Sequence, residues 1–402
     1  MKNDWKNLAI FGGVPASTEK LHVGRPNIGN RQHFLDRVND MLDRRWLSNN
    51  GPYVQELEKK LAEMLGVRQC IAVCNATVAL EIVIRALNLS GEVIVPSFTF
   101  IATAHSLEWQ QITPVFCDID PKTHNLDPQK VEKLITPQTT GIIGVHVWGR
   151  PCAISELGHI AQAHNLKLIF DAAHALGCSH NGIMIGNFGE AEVFSFHATK
   201  FINSFEGGAI ATNNGELAQK IRLMKNFGFA GYDDVIHIGT NGKMTEVSAA
   251  MGLTSLESMD EFISANYRNY LEYQKQILTI PGSQLIKYNL DEKNNFQYII
   301  VEVDEQITGI SRDNLVKILH AENVLARRYF YPGCHHMEPY RSLYPQAKLL
   351  LPNTEELTQR VMSLPNGTTV SKESIDIICG IFRLSVENGD KLTKYLSSRG
   401  PQ

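Results

Sequence analysis

Short apolar runs rich in Val, Ile and Phe alternate along the first 250 or so residues with longer stretches whose apolar positions recur every three or four residues. The first kind of run predicts a strand buried on both faces, and the second an amphipathic helix. Strands are expected at Cys70–Cys74, Val93–Pro96, Pro114–Asp118, Gly141–Trp148, Leu166–Ala172, Ala191–Phe196 and Gly208–Thr212. Helices are expected over Asn75–Asn88, Phe100–Gln110, Ala153–His164 and Glu216–Asn226. Regular alternation of this kind indicates an α/β fold with a mostly parallel sheet covered on both faces. About the first 60 residues read as an N-terminal arm and helix, and from about residue 255 the pattern changes. A long charged helix (Leu256–Ile277), a strand (Asn295–Val303) and a helix (Arg312–Glu322) follow. The expected organisation is an arm and large domain over residues 1–255, then a smaller α+β domain over 256–402.

A chain of 402 residues exceeds what one hydrophobic core usually holds, which agrees with two domains. The 38 Lys and Arg against 42 Asp and Glu give a net charge of −4, so there is no basic field for nucleic acid. No apolar run reaches the ~20 residues that span a bilayer, and the N-terminal residues lack the apolar core of a signal peptide. A cytoplasmic protein is expected. The seven Cys are scattered without a C-x-x-C pair, and they read as buried reduced thiols.

In open α/β folds, ligands sit at the carboxyl ends of the strands, so the residues just past each strand carry the candidate chemistry. Asn75-Ala76-Thr77 opens a helix, where free amides and the helix dipole suit a phosphate; capping by Thr77 is the commoner use of such a residue. Phe100 follows the next strand and could stack on a flat ring or simply pack. Asp171 ends the run LKLIF, an expensive place for a carboxylate unless something positive meets it; a helix N-cap is the alternative. Lys200 ends the otherwise uncharged VFSFHAT. It is either a solvated cation or a desolvated amine able to form a Schiff base. A Schiff-base Lys, a carboxylate for a pyridinium nitrogen, and a phosphate cup near Thr77 and Ser195 together fit one cofactor, pyridoxal 5′-phosphate (PLP).

The motifs WLSNNGPYVQELEKKLAEMLGV, CNATVAL, VPSFTFIATAHS, FDAAHALG, FSFHATKFINSFEGGA, GTNGKMTEVSAAMGL and RRYFYPGCH stand in this order along the chain. In them the chain resembles the sugar-nucleotide aminotransferases of the DegT/StrS group over essentially its whole length. These are fold type I PLP enzymes. The segments FGG, VGRPN, HVWGRPC and FDAAHALGC are most similar to the branch that aminates C-4 of dTDP-4-keto-6-deoxyglucose.

The resemblance implies a role for each matched residue. Lys200 holds PLP and carries protons, and Asp171 pairs with the pyridinium nitrogen. Ala76, Thr77 and Ser195 bind the phosphate, and Phe100 stacks on the ring. His174 lies near the O3′ edge, where many relatives carry Gln. Asn241 matches an Asn that reaches the phosphate of the neighbouring subunit, which implies a homodimer with shared sites. Asn49, in WLSNNGP, is expected to line the sugar site. Arg327, Arg328, Tyr329 and His335 match the substrate-side segment, where an Arg could meet a diphosphate or the donor's carboxylate; a surface basic pair is the alternative for the two Arg. His335 and His336 beside Cys334 raise the question of metal, but no further ligand spacing follows, and no metal is expected.

The implied reaction moves an amino group from L-glutamate, through the pyridoxamine 5′-phosphate form, to the 4-keto carbon of dTDP-4-keto-6-deoxyglucose. The product is dTDP-4-amino-4,6-dideoxyglucose. A 3-aminotransferase or a PLP-dependent dehydratase acting on another nucleotide-linked keto sugar is the alternative. The best-known dehydratases carry His where this chain has Lys200, which favours transamination. A non-catalytic protein on the same fold would be expected to lose Lys200 or Asp171, and both are present.

Overall fold

A computed structural model describes residues 2–398; residue 1 and residues 399–402, the outer ends of the two expected domains, lie outside it. The arm runs through short 3-10 turns before two helices, α1 (Arg31–Arg44) and α2 (Pro52–Leu65). Leu21–His22 of the arm pairs in parallel with Val324–Leu325, and Leu8 is fully buried in the core formed mainly by residues 270–392. The N-terminal arm therefore packs on C-terminal elements.

The central sheet has seven strands: β1 (Gln69–Val73), β2 (Glu92–Pro96), β3 (Thr113–Cys117), β4 (Thr139–Val145), β5 (Lys167–Asp171), β6 (Ala191–Ser195) and β7 (Gly208–Thr212). Their spatial order is β1-β7-β6-β5-β4-β2-β3. All neighbours are parallel except β7, which runs antiparallel to both β1 and β6. Successive side chains leave opposite faces of a strand, and both faces are covered. Cys70 and Ala72 pack with Leu57, Leu61 and Leu157 on one side. Ile71 and Val73 pack on the other with Leu80 and Val83 of α3 (Ala76–Ala86) and Leu107 of α4 (Ala102–Glu108). This two-sided burial is why the strands read as unbroken apolar runs.

The expected strand Gly141–Trp148 stops at Val145. Trp148 takes φ 64°, so it and its apolar neighbour Val147 are buried in a tight turn instead of a ladder. Two helices, α5 (Ile154–Ala163) and α6 (Gly215–Met224), follow β4 and β7. α7 (Glu246–Glu257) and α8 (Met259–Ile277) meet at Ser258, so the expected helix from Leu256 is two elements. Buried Glu246 accepts hydrogen bonds from the amides of Tyr53 and Val54, at 2.9 and 3.0 Å, at the N-terminus of α2. A carboxylate there complements the helix dipole. Gly51 is required beside it, since a Cβ would stand 2.5 Å from the Glu246 carboxyl carbon.

The last third holds an antiparallel sheet, β8 (Ser283–Leu285), β9 (Ile299–Val303) and β10 (Val361–Leu364), in that order. It packs with α8, α9 (Arg312–Ala321), α10 (Pro352–Arg360) and α11 (Lys372–Glu387). No helix among the described residues is long and apolar enough to cross a membrane.

Candidate active site

The carboxyl ends of β1, β5 and β6 open on a cavity of about 320 Å³. Ala76, Thr77, Phe100, Asp171, His174, Ser195, Lys200, Arg327 and Tyr329 all line it, so nine of the residues singled out from the sequence meet in one place.

At its floor, α3 begins directly after β1. Asn75 is the N-cap, and its Oδ1 accepts from the amide of Val78 at 2.8 Å. The first two helical amides, those of Ala76 and Thr77, have no partner within the helix and border the cavity. Thr77 is thus free of the capping role. Gly208 lies against this turn: a Cβ there would stand 2.9 Å from the Ala76 nitrogen and 2.8 Å from the Phe194 carbonyl oxygen. Only a glycine leaves the cradle open.

Asp171 ends β5 with its carboxylate almost fully buried. Its Oδ1 accepts from the Ala173 amide at 3.1 Å and its Oδ2 from Thr103 Oγ1 at 2.9 Å. Burial pushes its pKa up, against the pull of the Ala173 amide, Thr103 and Lys200. Such a carboxylate favours a cationic partner in the cavity. Lys200 is half-buried, and its Nζ donates to Tyr298 Oη at 3.2 Å. Burial lowers its pKa from 10.5 to about 8, partly opposed by Asp171. The amine is therefore poised to be neutral, the form that attacks a carbonyl.

An aromatic wall closes one side. Phe330 stacks on Trp148 at 5.2 Å between ring centroids and 8° between planes. His174 stacks on Trp148 and lies 4.4 Å from the Tyr298 ring. Burial holds the His174 pKa well below its ordinary value, so its ring is neutral. Its Nδ1 accepts from the Trp148 amide at 3.2 Å, which leaves the proton on Nε2 as a donor. Phe100, in contrast, remains 60% exposed at the cavity edge.

The substrate-side segment divides. Arg327 lines the cavity, held there by backbone hydrogen bonds in both directions with Ser363 of β10. Its guanidinium lies 5.0 Å from the Tyr329 ring centroid. Arg328 points elsewhere and pairs with Asp313 at 3.3 Å. His335 does not line the cavity; it is buried between Ser97 and Glu355. Asn49 and Asn241 also lie outside it. Asn49 borders a separate basic hollow with Arg222, Lys225 and Lys243. Exposed Asn241 bridges Asn226, another residue of that hollow. Tyr298 lies in none of the matched motifs; Thr103 and Phe330 lie within VPSFTFIATAHS and RRYFYPGCH, but nothing in the sequence distinguishes them there from core residues.

The model of the DegT/DnrJ/EryC1/StrS aminotransferase family matches residues 29–383. The chain belongs to this family. It is 38% identical over 363 residues to a dTDP-4-amino-4,6-dideoxy-D-glucose transaminase of Shigella dysenteriae, covering 90% of this chain and 98% of that protein. It is 36% identical to the GDP-perosamine synthase of Caulobacter vibrioides, covering 81% and 88%. A solved structure of DesI in the presence of its TDP-sugar product superposes with a TM-score of 0.93 at 48% identity, covering 98% of this chain and 99% of that one. Family membership makes the protein a PLP-dependent aminotransferase of fold type I. The cavity fits that cofactor: it offers a half-buried amine, a buried carboxylate, an open helix N-terminus behind a glycine, and an exposed aromatic ring.

Proposed function

We propose that the protein transfers the amino group of L-glutamate to the 4-keto carbon of dTDP-4-keto-6-deoxyglucose, giving dTDP-4-amino-4,6-dideoxyglucose, in the cytoplasm and as a homodimer. The similarity to the dTDP-4-amino-4,6-dideoxy-D-glucose transaminase of Shigella dysenteriae carries the choice of sugar and position, and DesI, solved with its TDP-sugar product at 48% identity over nearly the whole of both chains, supports the nucleotide. The site residues supply the chemistry. When bound, PLP supplies the carbonyl that receives the amino group and the electron-withdrawing ring that stabilises charge at the reacting carbon.

Lys200 Nζ would hold the cofactor covalently and, as the group able to shuttle a proton there, would carry it to and from the reacting carbon. Asp171 would hold a proton on the ring nitrogen, a task for which two donors, Thr103 and the Ala173 amide, fix its carboxylate. Ala76, Thr77 and Ser195 would hold the phosphate, Phe100 would offer its ring to the cofactor, and His174 would donate through Nε2. Arg327 and Tyr329 face the substrate side, Arg327 as the anion receptor. Arg328 and His335 act there only through the loop they share with Tyr329.

Asn49 and Asn241 serve the partner's site in this reading. Exposed apolar side chains support a second copy: Leu42, Trp46 and Leu47 in one stretch, Phe227, Phe229 and Ile238 in another. Such a concentration marks an interface. These stretches flank Asn49 and Asn241 in the sequence.

An absorbance series tests the proposal. L-Glutamate should bleach the visible band of the carbonyl form, and dTDP-4-keto-6-deoxyglucose should restore it, with the 4-amino sugar identified by mass spectrometry and NMR. Bleaching without recovery would retain the aminotransferase and refute this acceptor. The GDP-linked relative makes GDP-4-keto sugars the next to try.

A further inference from the structure

Behind the cleft, three ligand-bearing side chains converge that the transamination chemistry does not use. Glu355 Oε1 lies 2.6 Å from His335 Nε2 and 2.6 Å from His336 Nε2. The three ligand atoms all fall within 4.8 Å of one another. We propose that His335, His336 and Glu355 bind a divalent transition-metal ion, Zn²⁺ fitting best, which ties the loop that lines the cleft to helix α10.

The donor set selects the class of ion. Two imidazole nitrogens and one carboxylate oxygen suit Zn²⁺ and its first-row neighbours, whereas Mg²⁺ and Ca²⁺ require more oxygen ligands. A partner behind an inner ligand is a usual mark of a metal site, and His335 has one. Ser97, fully buried, lies 2.6 Å through its Oγ from His335 Nδ1 and fixes the ring with Nε2 toward Glu355. Ser97 Oγ also accepts from the His335 amide at 3.1 Å. Glu355 sits in the first turn of α10, which is anchored by Asp118 through the Asn353 and Thr354 amides at 3.0 and 2.8 Å. His335 is buried, but His336 and Glu355 keep 31% and 35% of their side chains exposed. Their open side gives an ion its entry path and a water its fourth coordination position.

The consequence reaches the cleft. His335 stands five residues after Phe330 in the segment that carries Arg327, Tyr329 and Phe330 into the cavity. The Cys334 amide donates to the Ser97 carbonyl at 3.0 Å, so this segment already leans on the end of β2. An ion between His335, His336 and Glu355 would add a bond from its other side to α10.

The test is a titration of chelator-treated holoenzyme with Zn²⁺, read by calorimetry in buffers of different ionisation enthalpy. The expected result is one tight equivalent per chain, each imidazole presenting a bare Nε2 with its proton moved to Nδ1 or lost to buffer. His336→Gln and Glu355→Gln should each weaken that equivalent at least ~100-fold, with circular dichroism unchanged. If either variant lost its fold, Co²⁺ bound to the unaltered protein would decide: a tetrahedral ligand-field spectrum without thiolate charge transfer supports the site. No tight equivalent, one that survives both substitutions, or a thiolate band would overturn it. The trio would then be a hydrogen-bonded cluster only.

Discussion

Lys200 Nζ donates to Tyr298 Oη at 3.2 Å, and Tyr298 in turn lies 4.4 Å from the ring of His174. The proposed nucleophile is thereby held by the residue that immediately precedes β9 of the C-terminal sheet, while its backbone belongs to the loop after β6. Burial raises the Tyr298 pKa well above its ordinary value, so the phenol remains protonated and can serve a neutral amine. Tyr298→Phe keeps the ring and removes that contact. A neutral hydrogen bond contributes about 1 kcal/mol, so kcat should fall about fivefold with the visible cofactor band retained. An unchanged kcat would show that the hydroxyl does not hold the amine during turnover.

The lowered pKa of Lys200 has a direct pH signature. Its amine is mostly protonated below about pH 8 and mostly neutral above, instead of changing form near 10.5. Capture of PLP by the apoprotein needs the neutral form. The loading rate, followed by growth of the visible band, should therefore rise with pH and level off just above pH 8. A rate still climbing tenfold per unit past pH 9 would mean that the cleft does not desolvate the amine.

Gly208 offers a way to damage the phosphate cradle without touching a polar group. A methyl at this position would meet the Ala76 nitrogen and the Phe194 carbonyl oxygen inside 3.0 Å. Overpacking of that kind costs about 1–3 kcal/mol, here at the amides that face the cavity. Gly208→Ala should weaken PLP at least about tenfold, measured by equilibrium titration. Gly158→Ala, in α5 with open space around it, should leave PLP affinity unchanged.

The difference between what could and could not be read from the sequence follows a physical rule. Strands buried on both faces are apolar throughout, so β1 to β7 were visible as runs. Asp171 and Lys200 were visible because a charge at the end of such a run is anomalous. Trp148 misled, since a buried turn is as apolar as a strand. Tyr298 and Glu355 gave no signal at all: each acts on a residue distant in sequence, and only the packing of the C-terminal elements brings Tyr298 to Lys200 or Glu355 to His335. Arg327 and Arg328 are adjacent and identical, and only the pairing of Arg327 with Ser363 tells them apart.

Glu58 tests how far the packing of α2 on β1 and α6 depends on one buried carboxylate. It bonds Lys225 Nζ at 3.0 Å, Arg222 at 2.6 Å and the Ala72 amide at 2.9 Å. Glu58→Ala would leave Lys225, itself buried, without its anion. Breaking one partner of a buried pair costs about 3–5 kcal/mol. The denaturant midpoint should fall accordingly, and a variant as stable as the parent would place compensating water at the site.

The shared-site reading makes the sharpest claim, because it predicts activity from two inactive proteins. Lys200→Ala should lose both the visible band and transamination. Asn241→Ala should lose activity through the partner's phosphate site, although Asn241 lies outside the cavity of its own chain. In a mixed dimer of the two variants, one site combines the intact Lys200 of one chain with the intact Asn241 of the other. The second site collects both lesions. Co-refolded mixtures should therefore regain activity that neither variant has alone, in proportion to the heterodimers isolated by differential tags. Confirmed heterodimers without activity would confine each site to a single chain and leave Asn241 with no part in binding the cofactor.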